Sequence, residues 1–301
     1  MQLTCKGRSL HLFNTRHRFS ILVACLLAIT LLSPPPPVIA GNTWDGGGAD
    51  KYWGTGDNWD PNGTPSPGSG NDIYLGDGSF WDEAYNNYTA WDDWRNIIFQ
   101  ADNDAMVVTG NEIDLFGKIE NNGIQNADFK VAHFSLMGGT CQANPVNGNL
   151  WLSGGGDIWN NGNYLDVWGD NGNILYIMKN LRGAGGLRLQ EYSLVGIYAS
   201  CDYSGNTEIN EGELRIGEGF TINNTAAIYV GNGGNTASYA KFLLDDANGE
   251  TTFSQSINVN PGNGLVDNRT IGGRNTTGTN TYSGSIVRST GVDNRALTLY
   301  A

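Results

Sequence analysis

From Asn96 to the last residue, short apolar runs alternate with clusters of Gly and Asn: Asn96–Phe99, Met106–Thr109, Ile113–Phe116, Leu150–Leu152, Tyr164–Trp168, Ile174–Met178, Leu194–Tyr198, Lys241–Leu244 and Ile257–Val259 are examples. Runs this short, rich in β-branched and aromatic residues and bounded by turn formers, predict strands. Leu187-Arg188-Leu189 and Leu214-Arg215-Ile216 alternate with a period of two, as a strand with one buried face does. The punctuation, such as Asn160-Asn161-Gly162-Asn163, uses residues that accept positive φ at low cost and so mark sharp corners. No segment after residue 40 has a helical period. An antiparallel sandwich and a solenoid both fit this rhythm. Internal repetition favours the solenoid: Tyr203-Ser204-Gly205-Asn206-Thr207-Glu208-Ile209 is echoed by Tyr282-Ser283-Gly284-Ser285-Ile286. In a solenoid, coils stack about 4.8 Å apart and like residues form ladders from coil to coil.

The first forty residues follow a different pattern. Arg16-His17-Arg18 leads into the apolar segment Ile21–Leu32, which is shorter than the roughly 20 residues a membrane helix needs but fits the core of a signal peptide. Pro34 to Pro37 then end the helix, and Val38-Ile39-Ala40 predicts cleavage after Ala40, with a mature chain from Gly41 that contains no membrane-spanning segment. The rival reading is a lipobox at Leu22-Val23-Ala24-Cys25, but the longer apolar run follows Cys25, where a lipobox needs it to precede. The expected location is therefore secreted or at the cell surface.

Composition sharpens this picture. Gly accounts for 43 of 301 residues and charged residues for only 16%, so turn formers abound and helix formers are scarce. Removing the leader removes Lys6, Arg8, Arg16 and Arg18, leaving 13 basic against 30 acidic residues, a net charge of −17. A surface of that sign repels nucleic acid. Cys141 and Cys201 survive processing, and outside the cell they either pair or sit as buried small hydrophobes.

Gly183-Ala184-Gly185-Gly186-Leu187, Tyr203-Ser204-Gly205-Asn206-Thr207, Ile209-Asn210, Gly212-Glu213-Leu214 and Gly217 occur in that order. Together they resemble the autotransporter-associated β-strand repeat, with a partial second copy around Asn280–Ile286. Trp44-Asp45-Gly46-Gly47-Gly48, Trp53, Asp57-Asn58-Trp59, Pro67 and Asn71–Gly76 resemble the Trp-rich segment that often precedes such repeats. The resemblance implies an all-β, right-handed parallel β-helix of a bacterial exported protein, with structural rather than catalytic motif positions. Residues 41–95 are expected to be a β cap and 96–301 a solenoid of ten or so coils of roughly 20 residues. With no alternating barrel strands before Ala301, either the solenoid is truncated at its C-terminus or export takes another route.

No constellation of catalytic residues emerges. The mature chain has one histidine, His133, within the apolar stretch Val131–Leu136, which suits a satisfied structural residue better than the base of a triad. One His and two distant Cys make no zinc cluster. Asn58-x-Asp60-x-Asn62-Gly63 resembles the opening of a calcium loop, but Ser69 stands where a bidentate Glu is required; Gly154-Gly155-Gly156-Asp157 is not iterated. Adjacent carboxylates at Asp92-Asp93 and Asp245-Asp246 raise the alternative of a carbohydrate-binding or polysaccharide-degrading β-helix. Strand neighbours point to opposite faces, however, so neither doublet forms a glycosidase pair by itself. Trp91 and Trp94 flank the first doublet, either as a sugar platform or as part of the cap. The expectation is a non-catalytic, adhesin-like structural protein with no cofactor or metal, whose partner is an extracellular surface or polysaccharide matrix.

Overall fold

The computed structural model describes residues 41–76, 82–101, 105–169, 172–223, 225–231, 238–260, 267–288 and 297–300. The leader, its cleavage site and the lipobox lie outside the described residues. Residues 41–301 form one compact unit.

The chain coils as a β-solenoid with three faces. The first face runs through Asn42–Trp44, Gly68–Leu75, Asp92–Phe99, Ile113–Asn121, Thr140–Pro145, Tyr164–Trp168, Leu187–Gln190, Thr207–Ile209, Ile228–Val230, Ile257–Val259 and Ile286–Arg288, each parallel to the next. The second face is a 10-stranded parallel sheet from Glu83–Asn86 to Leu297–Tyr300. The third is formed by the leading halves of Asp92–Phe99 and Ile113–Asn121, which bend around a corner, and by the three-residue strands Phe134–Leu136, Asp157–Trp159 and Asn180–Arg182. The apolar runs foretell the first two faces. Of the third they give only Ile113–Phe116, because its three-residue strands are too short to stand out from the turns around them.

One ladder shows why the fold holds. Ile73, Ile97, Ile119, Ala143, Val167, Leu189, Ile209, Val230 and Val259 stack in register, all buried. A parallel ladder of aliphatic side chains removes apolar surface from water at every coil while the backbone pairs with coils on both sides. The coils are longer and fewer than expected. Along this ladder they range from 20 residues (Leu189 to Ile209) to 29 (Val230 to Val259) and make about eight turns, because corners absorb insertions without disturbing the ladder.

The repeat echo has a structural meaning. Tyr203 and Tyr282 both lie four residues before a first-face column position, Thr207 and Ile286 respectively. Tyr203 is fully buried, with its hydroxyl 2.5 Å from that of Thr207. The Gly two residues after each Tyr has no room for a side chain. A Cβ at Gly205 would lie 2.4 Å from the Gly185 carbonyl, and one at Gly284 2.2 Å from that of Gln255.

At the N-terminal end, Trp44, Trp53, Trp59 and Trp94 are completely buried and meet edge to face, with centroids 5.2 to 6.1 Å apart. Asn42–Trp44 pairs antiparallel with Trp59–Asp60 at the edge of the first sheet. Lys51 to Trp53 bond to Tyr85 at the edge of the second. The tryptophan cluster therefore closes both edges that bare strands would leave open. Parallel stacking already begins within this segment, since Gly68–Leu75 pairs with Asp92–Phe99.

Candidate functional site

The outer surface of the third face carries two columns of side chains. Asp93, Asp114, Ser135 and Trp159 stand in register on successive coils. Beside them run Trp91, whose N–H donates to the Glu112 carbonyl at 2.9 Å, then Glu112 and His133. Trp91, Glu112, Asp114, His133, Ser135, Trp159 and Asn161 line a hollow of about 530 Å³.

Both tryptophans that flank the hollow are exposed, Trp91 by 43% and Trp159 by 37%. Trp91 has φ 65°, in the left-handed region where a bulky residue is strained by about 1–3 kcal/mol. Its indole lies 6.4 Å from the His133 ring, centroid to centroid. The guanidinium of Arg182 lies 5.8 Å from the Trp159 ring and is occupied by Asp157 and Asp202 at 3.3 and 3.4 Å. His133 Nδ1 accepts from the Asp157 N–H at 2.9 Å, so the neutral ring carries its proton on Nε2.

The charges in the hollow are of one sign. Among the described residues no ion pair reaches Asp93, Glu112 or Asp114. Burial, and then the neighbouring Asp93 carboxylate, push the Asp114 carboxyl above its ordinary range, partly offset by a hydrogen bond from Ser135. The surface thus offers two apolar plates, a row of carboxylate acceptors, and a donor from His133.

The sequence candidates are dispersed. The flanking tryptophans of Asp92-Asp93 part company: Trp94 is buried in the cap against Trp53 and Tyr88, while Trp91 faces the hollow. Asp92 accepts from the Thr89 hydroxyl, and the partner of Asp93 is Asp114 on the next coil. Asp245 accepts from Tyr198 at 3.1 Å and lies 3.8 Å from Arg274. Asp246 takes four backbone N–H groups and the Thr251 hydroxyl, which hold its carboxyl at about 2. It is a corner residue. Glu112, Ser135 and Trp159 went unnoticed in sequence, since only coil register unites them.

The calcium-like segments are filled by protein. The Asn58 amide bonds to the Asp50 and Tyr52 carbonyls and accepts from Gly48 N–H. At the triple-glycine turn a cation is already present: the buried Lys179 ammonium donates to the carbonyls of Val131, Ala132 and Gly155. No group of three or more metal-ligating side chains occurs among the described residues. Cys141 and Cys201 are both free and buried, their thiols pushed up to about 11 and about 12 by desolvation.

A larger hollow of about 650 Å³ on the second face contains Glu213, Arg215 and Lys241. Its charges satisfy one another, Glu213 pairing with Arg215 at 2.6 Å and with Lys241 at 3.3 Å. No helix among the described residues is long and apolar enough to cross a membrane. No protein-family model, curated protein or solved structure matches the chain.

Proposed function

We propose that this chain works outside the cell as a rigid, displayed column, secreted or held at the cell surface, and that its role is adhesive and structural rather than catalytic. The observation that carries this reading is the unbroken in-register ladder from Ile73 to Val259, which makes every coil a repeat of the last. Stability in such a column is a sum of neighbouring coil contacts, which suits a long exposed surface more than a single enclosed pocket. The positions of the resemblance support it. Tyr203, Thr207, Gly205 and Gly212 are spent on packing, hydrogen bonding and tight backbone approach, as expected of an autotransporter-associated repeat. The acidic balance and the leader-like first forty residues point to the same compartment.

A polysaccharide-degrading reading has one observation in its favour. Asp93 and Asp114 sit on adjacent coils, and burial together with the Asp93 carboxylate raises the Asp114 carboxyl, the setting in which glycoside hydrolases keep a general acid. One experiment separates the two. Expression of the full chain in a Gram-negative host should yield protein in the surface or medium fraction beginning at Gly41, and beads coated with it should adhere to polysaccharide layers without releasing reducing sugar. Retention in the cytoplasm with residues 1–40 attached would overturn the display reading. Release of new reducing ends from pectin, alginate or glucan would overturn its non-catalytic part.

A further inference from the structure

We infer that the hollow between Trp91 and Trp159 is a binding site for a neutral, hydroxyl-rich glycan, which lies across the third face of the column. This rests on the display reading and deepens it by naming what the displayed surface takes.

The argument begins with the two indoles. A tryptophan left in water forgoes more burial than any other side chain, and four of the nine in this chain are completely buried in the cap. Trp91 and Trp159 are exposed, yet they belong to strands three coil steps apart, about 14 Å along the axis at 4.8 Å per step. Trp91 also adopts a backbone conformation that disfavours its type, and that conformation carries the ring over the hollow. Sugar rings have apolar C–H faces that stack on such plates and hydroxyl edges that need hydrogen bonds.

The floor supplies those bonds. The carboxylates of Glu112 and Asp114 accept from hydroxyls more strongly than neutral groups do. The Nε2–H of His133 donates in return. Hydroxyls are donor and acceptor at once, and this mixture matches them. The same carboxylates repel a polyuronate, whose every unit is an anion. The larger hollow on the second face has no comparable vacancy for polar partners, because Glu213, Arg215 and Lys241 are already paired.

Affinity electrophoresis of the full chain tests the assignment, in native gels cast with β-glucan, galactomannan or arabinoxylan, and in parallel gels with polygalacturonate or alginate. At least one neutral polysaccharide should retard the chain and the polyuronates should not. Trp91→Ala and Trp159→Ala should each weaken retardation about tenfold or more. Trp151→Ala, on the second face, should leave it unchanged, and thermal melts confirm that all three variants fold. Absence of retardation in every neutral gel, persistence of retardation in the Trp91→Ala/Trp159→Ala double variant, or preference for a polyuronate would each overturn the inference. The display reading fails separately: a chain exported and adherent but not retarded loses only the glycan site, and one retarded but never exported loses only the display.

Discussion

The first face of this column and the hollow on its third face are both built on parallel ladders, yet they treat charge in opposite ways. On the first face, acids and bases alternate between coils. Arg188 reaches Glu208 at 3.1 Å and Asp166 at 3.6 Å and lies 4.2 Å from the Tyr164 ring, while Arg95 grips Asp72 with two hydrogen bonds of 2.7 and 2.5 Å. At the hollow, Asp93 and Asp114 abut with no cation paired to either among the described residues, and a strained tryptophan lines the same hollow as Asp114. A register that places like residues over like must either cancel charge from coil to coil or leave it unspent. Cancelled charge stabilises the column. Unspent charge beside exposed aromatics is surface held ready for something else.

Four variants would break or sharpen this contrast. The largest effect belongs to Lys179, which lies buried beneath the third face. Lys179→Met leaves three carbonyls without their donor and should cost about 2–3 kcal/mol in denaturant unfolding. Burial pushes its pKa down to about 8, whereas the unfolded chain titrates near 10.5. Between those values the unfolded state holds a proton that the folded state has released, so wild-type stability should rise with pH relative to Lys179→Met from pH 8 to 10.5. The gap should be flat below pH 8. A gap that instead shrinks over this range would contradict a burial-dominated lysine.

On the first face, Arg188→Ala strands the buried Asp166 carboxylate and the Glu208 carboxylate, and should destabilise by about 1–2 kcal/mol. Trp91→Gly should act in the opposite direction, raising stability by roughly 1 kcal/mol as left-handed strain is relieved, while glycan retardation falls. The smallest effect is expected for Asp114→Asn. A carboxyl whose folded pKa is raised opposes folding once the pH exceeds its unfolded value, so neutralising it should stabilise slightly at pH 7 and make no difference below about pH 3. Removing charge would thus weaken one face and strengthen the other. If Arg188→Ala and Asp114→Asn shift the melting temperature in the same direction, the two faces do not differ as described.

Sequence reading went furthest where local pattern suffices. Leu187-Arg188-Leu189 and Leu214-Arg215-Ile216 alternate as strands do, and the Tyr-Ser-Gly echo marks a corner where only Gly fits between neighbouring backbones. It failed on Phe134–Leu136, Asp157–Trp159 and Asn180–Arg182, three-residue strands that exist because neighbouring coils pair with them. Coil length was underestimated for a related reason: the ladder fixes which residues meet, while the loops between are free to vary from one turn to the next.

The amino-acid sequence by itself determined the all-β class, because buried aliphatics at period two and corners of Gly and Asn leave no room for helices, and its repeats favoured the solenoid over a sandwich. Tertiary structure alone decided the candidate site. Asp93, Asp114, Ser135 and Trp159 are separated in sequence by 21 to 24 residues at each step and become neighbours only through the coil register. That register is a sum of many weak ladder contacts along the column, and no local stretch of sequence encodes it.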